Sequence, residues 1–200
     1  MKKLLSVVIF MVIIPFYSFA QDGNTSIHEF GLNLSGPHTF GIRYRTGSEN
    51  TLLRLTLSSI EGSDQNSKAA SNTSKFGSAG LAFNIGFEKR RLISDNLSLY
   101  IGSDLLTSYG SNTANYDNLS QKSDTWTLSE GLGLVLGFVY RINSALDISA
   151  EVLPSISYSY GKTTTSSNGG NSSQTNTGLN YGLGDTGANL TLSFRFGKKN

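Results

Sequence analysis

The chain has 200 residues, no cysteine, a formal charge of +2 and only 15% charged residues. Without Lys2 and Lys3 it is neutral, fourteen basic residues facing fourteen acidic ones, which argues against a nucleic-acid binder with a basic patch. An exported chain of this size has no disulfide to stabilise it, and its charge content falls below the quarter usual in soluble domains.

The first twenty residues, MKKLLSVVIFMVIIPFYSFA, read as an export signal. Lys2 and Lys3 form a basic start, Leu4 to Phe19 is uncharged and mostly apolar, and Ser18-Phe19-Ala20 places small residues three and one before a cut at Ala20–Gln21. The apolar run falls short of the roughly 20 residues a spanning helix needs. With no cysteine anywhere, a lipoprotein anchor is excluded. The expected organisation is a signal peptide over residues 1–20 and one domain over residues 21–200.

Beyond Gln21 the periodicity is two rather than 3.6. In chain order, Phe30, Leu32 and Leu34 alternate with Gly31, Asn33 and Ser35, and Phe40, Ile42 and Tyr44 with Gly41, Arg43 and Arg45. Leu53, Leu55 and Leu57 alternate with Arg54, Thr56 and Ser58. Leu81, Phe83, Ile85 and Phe87 alternate with a face running from Gly80 to Glu88. Leu97, Leu99, Ile101 and Leu105 oppose Ser98, Tyr100, Gly102 and Asp104.

The sixth segment, GLGLVLGFVYRIN (Gly131 to Asn143), carries no charge until Arg141 and could pass for a membrane helix. Its even positions are Leu132, Leu134, Leu136, Phe138, Tyr140 and Ile142, and its odd positions are small until Arg141. A strand separates these sets cleanly. In a helix they would mix, and each of three glycines would cost roughly 1 kcal/mol against alanine. About ten such residues, tilted, cross a hydrocarbon core. Two segments follow: Leu146, Ile148, Val152 and Ile156 against Asp147, Ser149, Glu151 and Ser155, then Leu190, Leu192, Phe194 and Phe196 against Asn189, Thr191, Ser193 and Arg195.

Eight alternating segments predict an all-β fold, an eight-stranded antiparallel up-and-down transmembrane barrel. Short turns are expected near Gly47–Asn50, Arg90–Asn96 and Asn143–Ala145. Long polar loops are expected at Gly62–Lys75, Gly110–Asp124 and Gly161–Gly178, the last of low complexity and mobile. Short turns in the periplasm and long loops outside are the habit of outer-membrane barrels; Ser35–His38 is then a very short first external turn. Two places resist: Pro154 removes a ladder donor within the seventh strand, and Tyr181–Asp185 is out of phase with Leu190–Phe196.

A soluble lipocalin-like barrel would put many Lys and Glu on its polar face. Here that face is Gly, Ser, Ala, Thr and Asn with isolated charges, as a narrow lumen requires. Tyr44, Phe87, Tyr140 and Phe196 at the turn side, with Tyr109, Trp126, Tyr158 and Tyr160 at the loop side, suggest two interfacial girdles.

The export signal, the eight segments and the terminal NLTLSFRFGKKN together resemble the small outer-membrane barrels of the OmpA/OmpX type. The Asn/Ser/Thr-rich loops and the GFEKRRLISDNLSLYIG hairpin suggest a Bacteroidetes-type member. The resemblance covers nearly all of the chain after residue 20 and implies a cell-envelope protein in the outer membrane of a Gram-negative bacterium. It also implies a terminal aromatic, here Phe196, read by the barrel-assembly machinery during biogenesis; Gly197 to Asn200 follow it, a departure from the usual ending.

Inward charges predict ion pairs across the lumen: Arg43, Arg54, Arg141 and Arg195 against Glu88, Asp104, Asp147 and Glu151, since unpaired charges there would be costly. His28 and His38 are the only histidines, and neither has a serine and an acid placed with it as a hydrolytic site requires. Gly131, Gly133 and Gly137 lack dinucleotide spacing. No cofactor, no metal, no catalytic residue and no nucleic acid are expected. The expected protein is a monomer among outer-membrane lipids and lipopolysaccharide, with a plugged lumen and a structural or surface-interaction role. The alternatives are a lipid-modifying barrel enzyme and a narrow porin.

Overall fold

The fold comes from a computed structural model that describes residues 27–34, 40–69, 72–116, 120–183 and 188–196. The expected signal over residues 1–20, the expected first external turn with His38, and Gly197–Asn200 lie outside the described residues. Among the described residues every regular element is a strand, and none forms a helix long and apolar enough to cross a membrane.

The strands are β1 (Ile27–Leu34), β2 (Phe40–Gly47), β3 (Thr51–Ala69), β4 (Asn72–Ser94), β5 (Leu97–Tyr116), β6 (Gln121–Arg141), β7 (Leu146–Val152), β8 (Ser155–Ser167), β9 (Gly170–Gly182) and β10 (Ala188–Phe196). All pairings are antiparallel. From β1 to β6 each strand pairs with the next; β6 then pairs β7, β7 pairs β10, and β10 returns to β1. The sheet therefore closes on itself through eight of the ten strands. The closing register runs from His28↔Phe196 to Leu34↔Leu190.

The described residues form ten strands where the alternation predicts eight, because the last two segments are each broken. Val152 and Ile156 both face outward, so Leu153–Pro154 interrupts the ladder without changing phase. The Pro154 carbonyl still accepts from Leu134 N at 2.9 Å, but proline has no N–H to return. The partner breaks after Gly182, whose φ of +131° is a conformation that favours glycine. There the outward set shifts from Leu179, Tyr181 and Leu183 to Leu190, Leu192 and Phe194.

The long loops are corrected too. They are hairpin arms: β3 runs on to Ala69 and β4 starts at Asn72, β5 reaches Tyr116, and β8 and β9 pair from Ser155↔Gly182 to Ser167↔Gly170. Ser, Thr and Asn side chains leave the backbone ladder intact, so polarity alone does not make a loop. The Arg90–Asn96 turn likewise shrinks to Asp95–Asn96, with Arg90 to Ser94 inside β4.

Beyond the ring, β6 pairs β8 instead of β7. Six strands, in the order β3-β4-β5-β6-β8-β9, continue as an open sheet. Among the described residues, nothing pairs with the outer edge of β9, or with the β2-side edge of β3 beyond Leu57.

The faces are inverted relative to a soluble protein. Leu134 is 46% and Phe194 60% exposed, whereas their neighbours Val135 and Ser193 are 0% and 2%. The same holds along β1, β2, β6, β7 and β10. A bulge between Leu57 and Ser59 shifts the phase so that Ile60, not Ser59, continues the outer apolar row. An apolar belt this continuous marks a surface that is not meant for water.

Candidate functional site

Among the described residues, the inner face of the ring holds nine buried charged side chains: Glu29, Arg43, Arg45, Arg54, Glu88, Arg90, Asp104, Asp147 and Glu151. Each sits where strand alternation points it inward. Burying an unpaired charge costs several kcal/mol, so such a cluster persists only when its members satisfy one another.

Arg54 of β3 is the hub. It lies 3.2 Å from Glu88, 3.1 Å from Asp104 and 2.9 Å from Glu151. Arg43 of β2 pairs with Glu151 and donates to Thr56 Oγ1 at 3.1 Å and Thr191 Oγ1 at 3.0 Å. Glu151 also accepts from the Tyr100 hydroxyl at 2.9 Å.

A second centre forms around Arg90, which donates to both Glu29 oxygens at 2.7 Å and, through Nε, to Glu88 at 2.7 Å. Such two-pronged contacts are the strongest ion-pair geometry. Arg45 joins the centres, 3.3 Å from Glu29 and 3.2 Å from Glu88, with its guanidinium over the Tyr100 ring at 5.8 Å. Asn33, Thr191 and Asn189 continue the polar fill beside Glu151.

Four arginines thus face four acids, contributed by every ring strand except β6 and β10. Strand β10 supplies Asn189 and Thr191. Strand β6 supplies room: a Cβ on Gly137 would lie 2.5 Å from Tyr100 Cζ, and one on Gly133 2.8 Å from Leu153 Cδ1. Tyr100, Val135, Val139 and Leu153 make a small apolar cluster against this wall. The glycine stripe is where large inward side chains from other strands come to rest.

Of the sequence-derived candidates, Arg43, Arg54, Glu88, Asp104 and Glu151 come together in this network. Arg141, Asp147 and Arg195 do not join its centre. Arg141 and Asp147 approach only to 3.8 Å, Arg141 being partly exposed, and Arg195 reaches Glu29 at 3.6 Å. Among the network's weak points, Asp104 Oδ1 meets Arg54 Nε without hydrogen-bond alignment, and Asp104 Oδ2 has no hydrogen-bond partner among the described residues.

The sequence reading missed Glu29, Arg45 and Arg90. Glu29 shares the phase of Gly31 and Asn33, and Arg45 that of Arg43, so alternation alone could have found both. Arg90 was hidden because its segment read as a turn; in β4 it shares the phase of Glu88.

His28 lies on the outer face at the turn-side rim. Its ring stacks on Tyr44 and Phe196 at centroid distances of 6.1 and 5.6 Å, and its Nδ1 lies 2.8 Å from the Tyr44 hydroxyl. Phe196 is an exposed outer-face residue beside it. Trp126 and Tyr160 meet at 5.5 Å on the loop-side half. On the outer arms, Asp124 is held below the ordinary carboxylate range by hydrogen bonds from Lys122 and Thr113. Among the described residues no group of three His, Cys, Asp or Glu side chains could hold a metal ion.

The model of the "Putative OmpA-OmpF-like porin family" matches residues 60–196. Among solved structures, a major outer membrane protein from Thermus thermophilus aligns with a TM-score of 0.52 at 10% identity, over 86% of this chain and 100% of that one. The attachment invasion locus protein of Yersinia pestis aligns at 0.38 and 14% identity, over 86% and 96% of the two chains. Neisserial surface protein A gives 0.31 and 17%, over 86% and 93%. These last two scores add nothing to the fold assignment. No curated protein matches the chain. A family match over more than half the chain, on an inside-out antiparallel sheet closed on itself, makes this an outer-membrane β-barrel protein of Gram-negative type, and the chain belongs to the OmpA-OmpF-like porin family.

Proposed function

We propose that the chain is an eight-stranded up-and-down transmembrane barrel with a plugged polar interior, exported by a cleaved signal over residues 1–20. Its role in this reading is surface interaction, through the sheet that stands beyond the ring. The carrying observation is topological: six strands continue past the ring and, among the described residues, end in two unpaired edges, along β9 and along β3 beyond Leu57. β8 runs from Ser155 to Ser167, and the seven residues past Tyr160 make an arm of about 23 Å at 3.3 Å per residue. A free edge offers a row of unpaired N–H and C=O groups to an extended partner segment. From Gly170 to Gly178 the β9 edge is Gly, Asn, Ser, Gln and Thr, which leaves little apolar contact for indiscriminate pairing.

The barrel sits as a monomer among outer-membrane lipids and lipopolysaccharide, with Phe196 as the terminal aromatic read by the assembly machinery. No step of chemistry is assigned to it. The test replaces Lys162–Thr177 by a short turn and compares whole-cell attachment to a panel of cell and abiotic surfaces. Attachment should fall while heat-modifiable gel mobility, the mark of a folded barrel, persists. Equal attachment by both forms would refute the proposal.

The family's name favours a second reading, a narrow porin. Stepwise conductance in planar bilayers that changes on neutralising Arg54 or Glu151 would establish it in place of the plug. Loss of lipid modification in cells carrying His28→Ala or His38→Ala would favour an enzyme instead.

A further inference from the structure

We propose that the turn-side rim of the outer face seats one anionic phospholipid, its phosphate held between Lys89 and Arg91. The inference rests on the reading that the outer face meets lipid, and adds a specific ligand to it.

Three cations stand in a row on β4, and alternation divides them. Arg90 points inward and is fully engaged by Glu29 and Glu88. Lys89 and Arg91 point outward and are exposed, two residues apart on one face and so roughly 7 Å from each other. Among the described residues neither forms an ion pair.

The sheet sets an apolar wall beside them. Ile101 lies opposite Lys89 and Leu99 opposite Arg91, and Leu136 lies opposite Ile101 on the next strand. Leu99 and Ile101 are each about half exposed. Together with Asn50 from the adjoining turn, these residues line an open groove of about 750 Å³. Arg90 N donates to the Asn50 carbonyl at 2.8 Å, fixing that turn against β4.

Two cations at the foot of an apolar groove match an amphiphile: a phosphate at the rim and an acyl chain along Leu99, Ile101 and Leu136. A free phosphate would have no use for the apolar wall. A zwitterionic lipid would bring its own cation against Lys89 and Arg91. Cations scattered at an interface merely reach toward headgroups; here the groove supplies a seat for one molecule.

The test uses the full mature chain in detergent micelles, titrated with phosphatidylglycerol or phosphatidylcholine of the same acyl chains and read by native mass spectrometry. One phosphatidylglycerol should be retained in preference to phosphatidylcholine. The double variant Lys89→Gln/Arg91→Gln should weaken that retention about thirtyfold, since each cation near an anionic surface counts separately. Lys122→Gln, on the outer arms, should leave it unchanged. Equal retention of the two lipids, or an unaltered double variant, overturns the proposal. Displacement by inorganic phosphate also overturns it, because the site would then be a simple anion site. Both substituted side chains are exposed, and heat-modifiable mobility checks that the variant folds. If the outer face does not meet lipid at all, the protein leaves the membrane fraction without detergent, a result seen before any lipid is compared.

Discussion

Consider Glu151→Ala. The carboxylate is almost fully buried and accepts from Arg43, Arg54, Tyr100 and Asn189. Its removal leaves the four central arginines facing three acids. Arg54 keeps Glu88 and Asp104, but the Asp104 contact lacks hydrogen-bond alignment. Arg43 keeps only the hydroxyls of Thr56 and Thr191. A buried ion pair broken on one side costs about 3–5 kcal/mol, because the remaining charge is left uncompensated. The assay is urea unfolding of the refolded barrel in lipid vesicles, followed by heat-modifiable mobility. Removing Arg54 as well, as Arg54→Met/Glu151→Ala, should cost less than the sum of Arg54→Met and Glu151→Ala by about 0.5–3 kcal/mol. A Glu151→Ala variant as stable as the parent, or strictly additive singles, would refute the claim that charge compensation holds the interior.

Other outcomes follow from the same geometry. Gly137→Ala places a Cβ 2.5 Å from Tyr100 Cζ and 2.6 Å from the Ala150 carbonyl oxygen; it should cost about 1–3 kcal/mol in the same unfolding assay, and Tyr100→Phe should leave a smaller penalty because the bond to Glu151 is already lost. Leu134→Arg on the outer face should cost about 2–4 kcal/mol in vesicles, as a cation deep in the hydrocarbon does. Native-state hydrogen exchange should be faster for the amides along the free edge of β9 than for those of β1, which is paired on both sides.

Much of this architecture was legible from alternation, because strand phase alone sorts side chains to two faces. Arg43, Arg54 and Glu151 could be assigned inward one strand at a time, since none depends on which strand lies beside it. What alternation cannot show is register. Arg54 reaches Asp104 because Arg54 pairs with Gly86 and Gly86 with Asp104, which only the assembled sheet reveals. Strand ends were hidden for a different reason. The arms around Ser63, Thr113 and Thr164 carry polar residues on both faces, so they lack the alternating signal while keeping the ladder. Pro154 marks a break in the ladder, as its missing donor implies, and the phase of Tyr181 and Leu183 differs from that of Leu190 to Phe196; Gly184 and Asp185 lie outside the described residues. The pairing of these two places across the sheet, which lets both breaks fall together and frees β8 and β9 from the ring, was not visible in the linear chain.

The central claim, that large apolar side chains meet lipid while small and charged ones fill a sealed interior, is tested most directly by where labels reside. The chain has no cysteine, so single-cysteine variants carry one spin label each. In bilayers, labels at Leu134 and Phe194 should be relaxed by lipid-soluble oxygen, and labels at Gly133 and Ser193 should be shielded from it. The opposite pattern, with Leu134 and Phe194 in contact with water and Gly133 and Ser193 among acyl chains, would contradict the account.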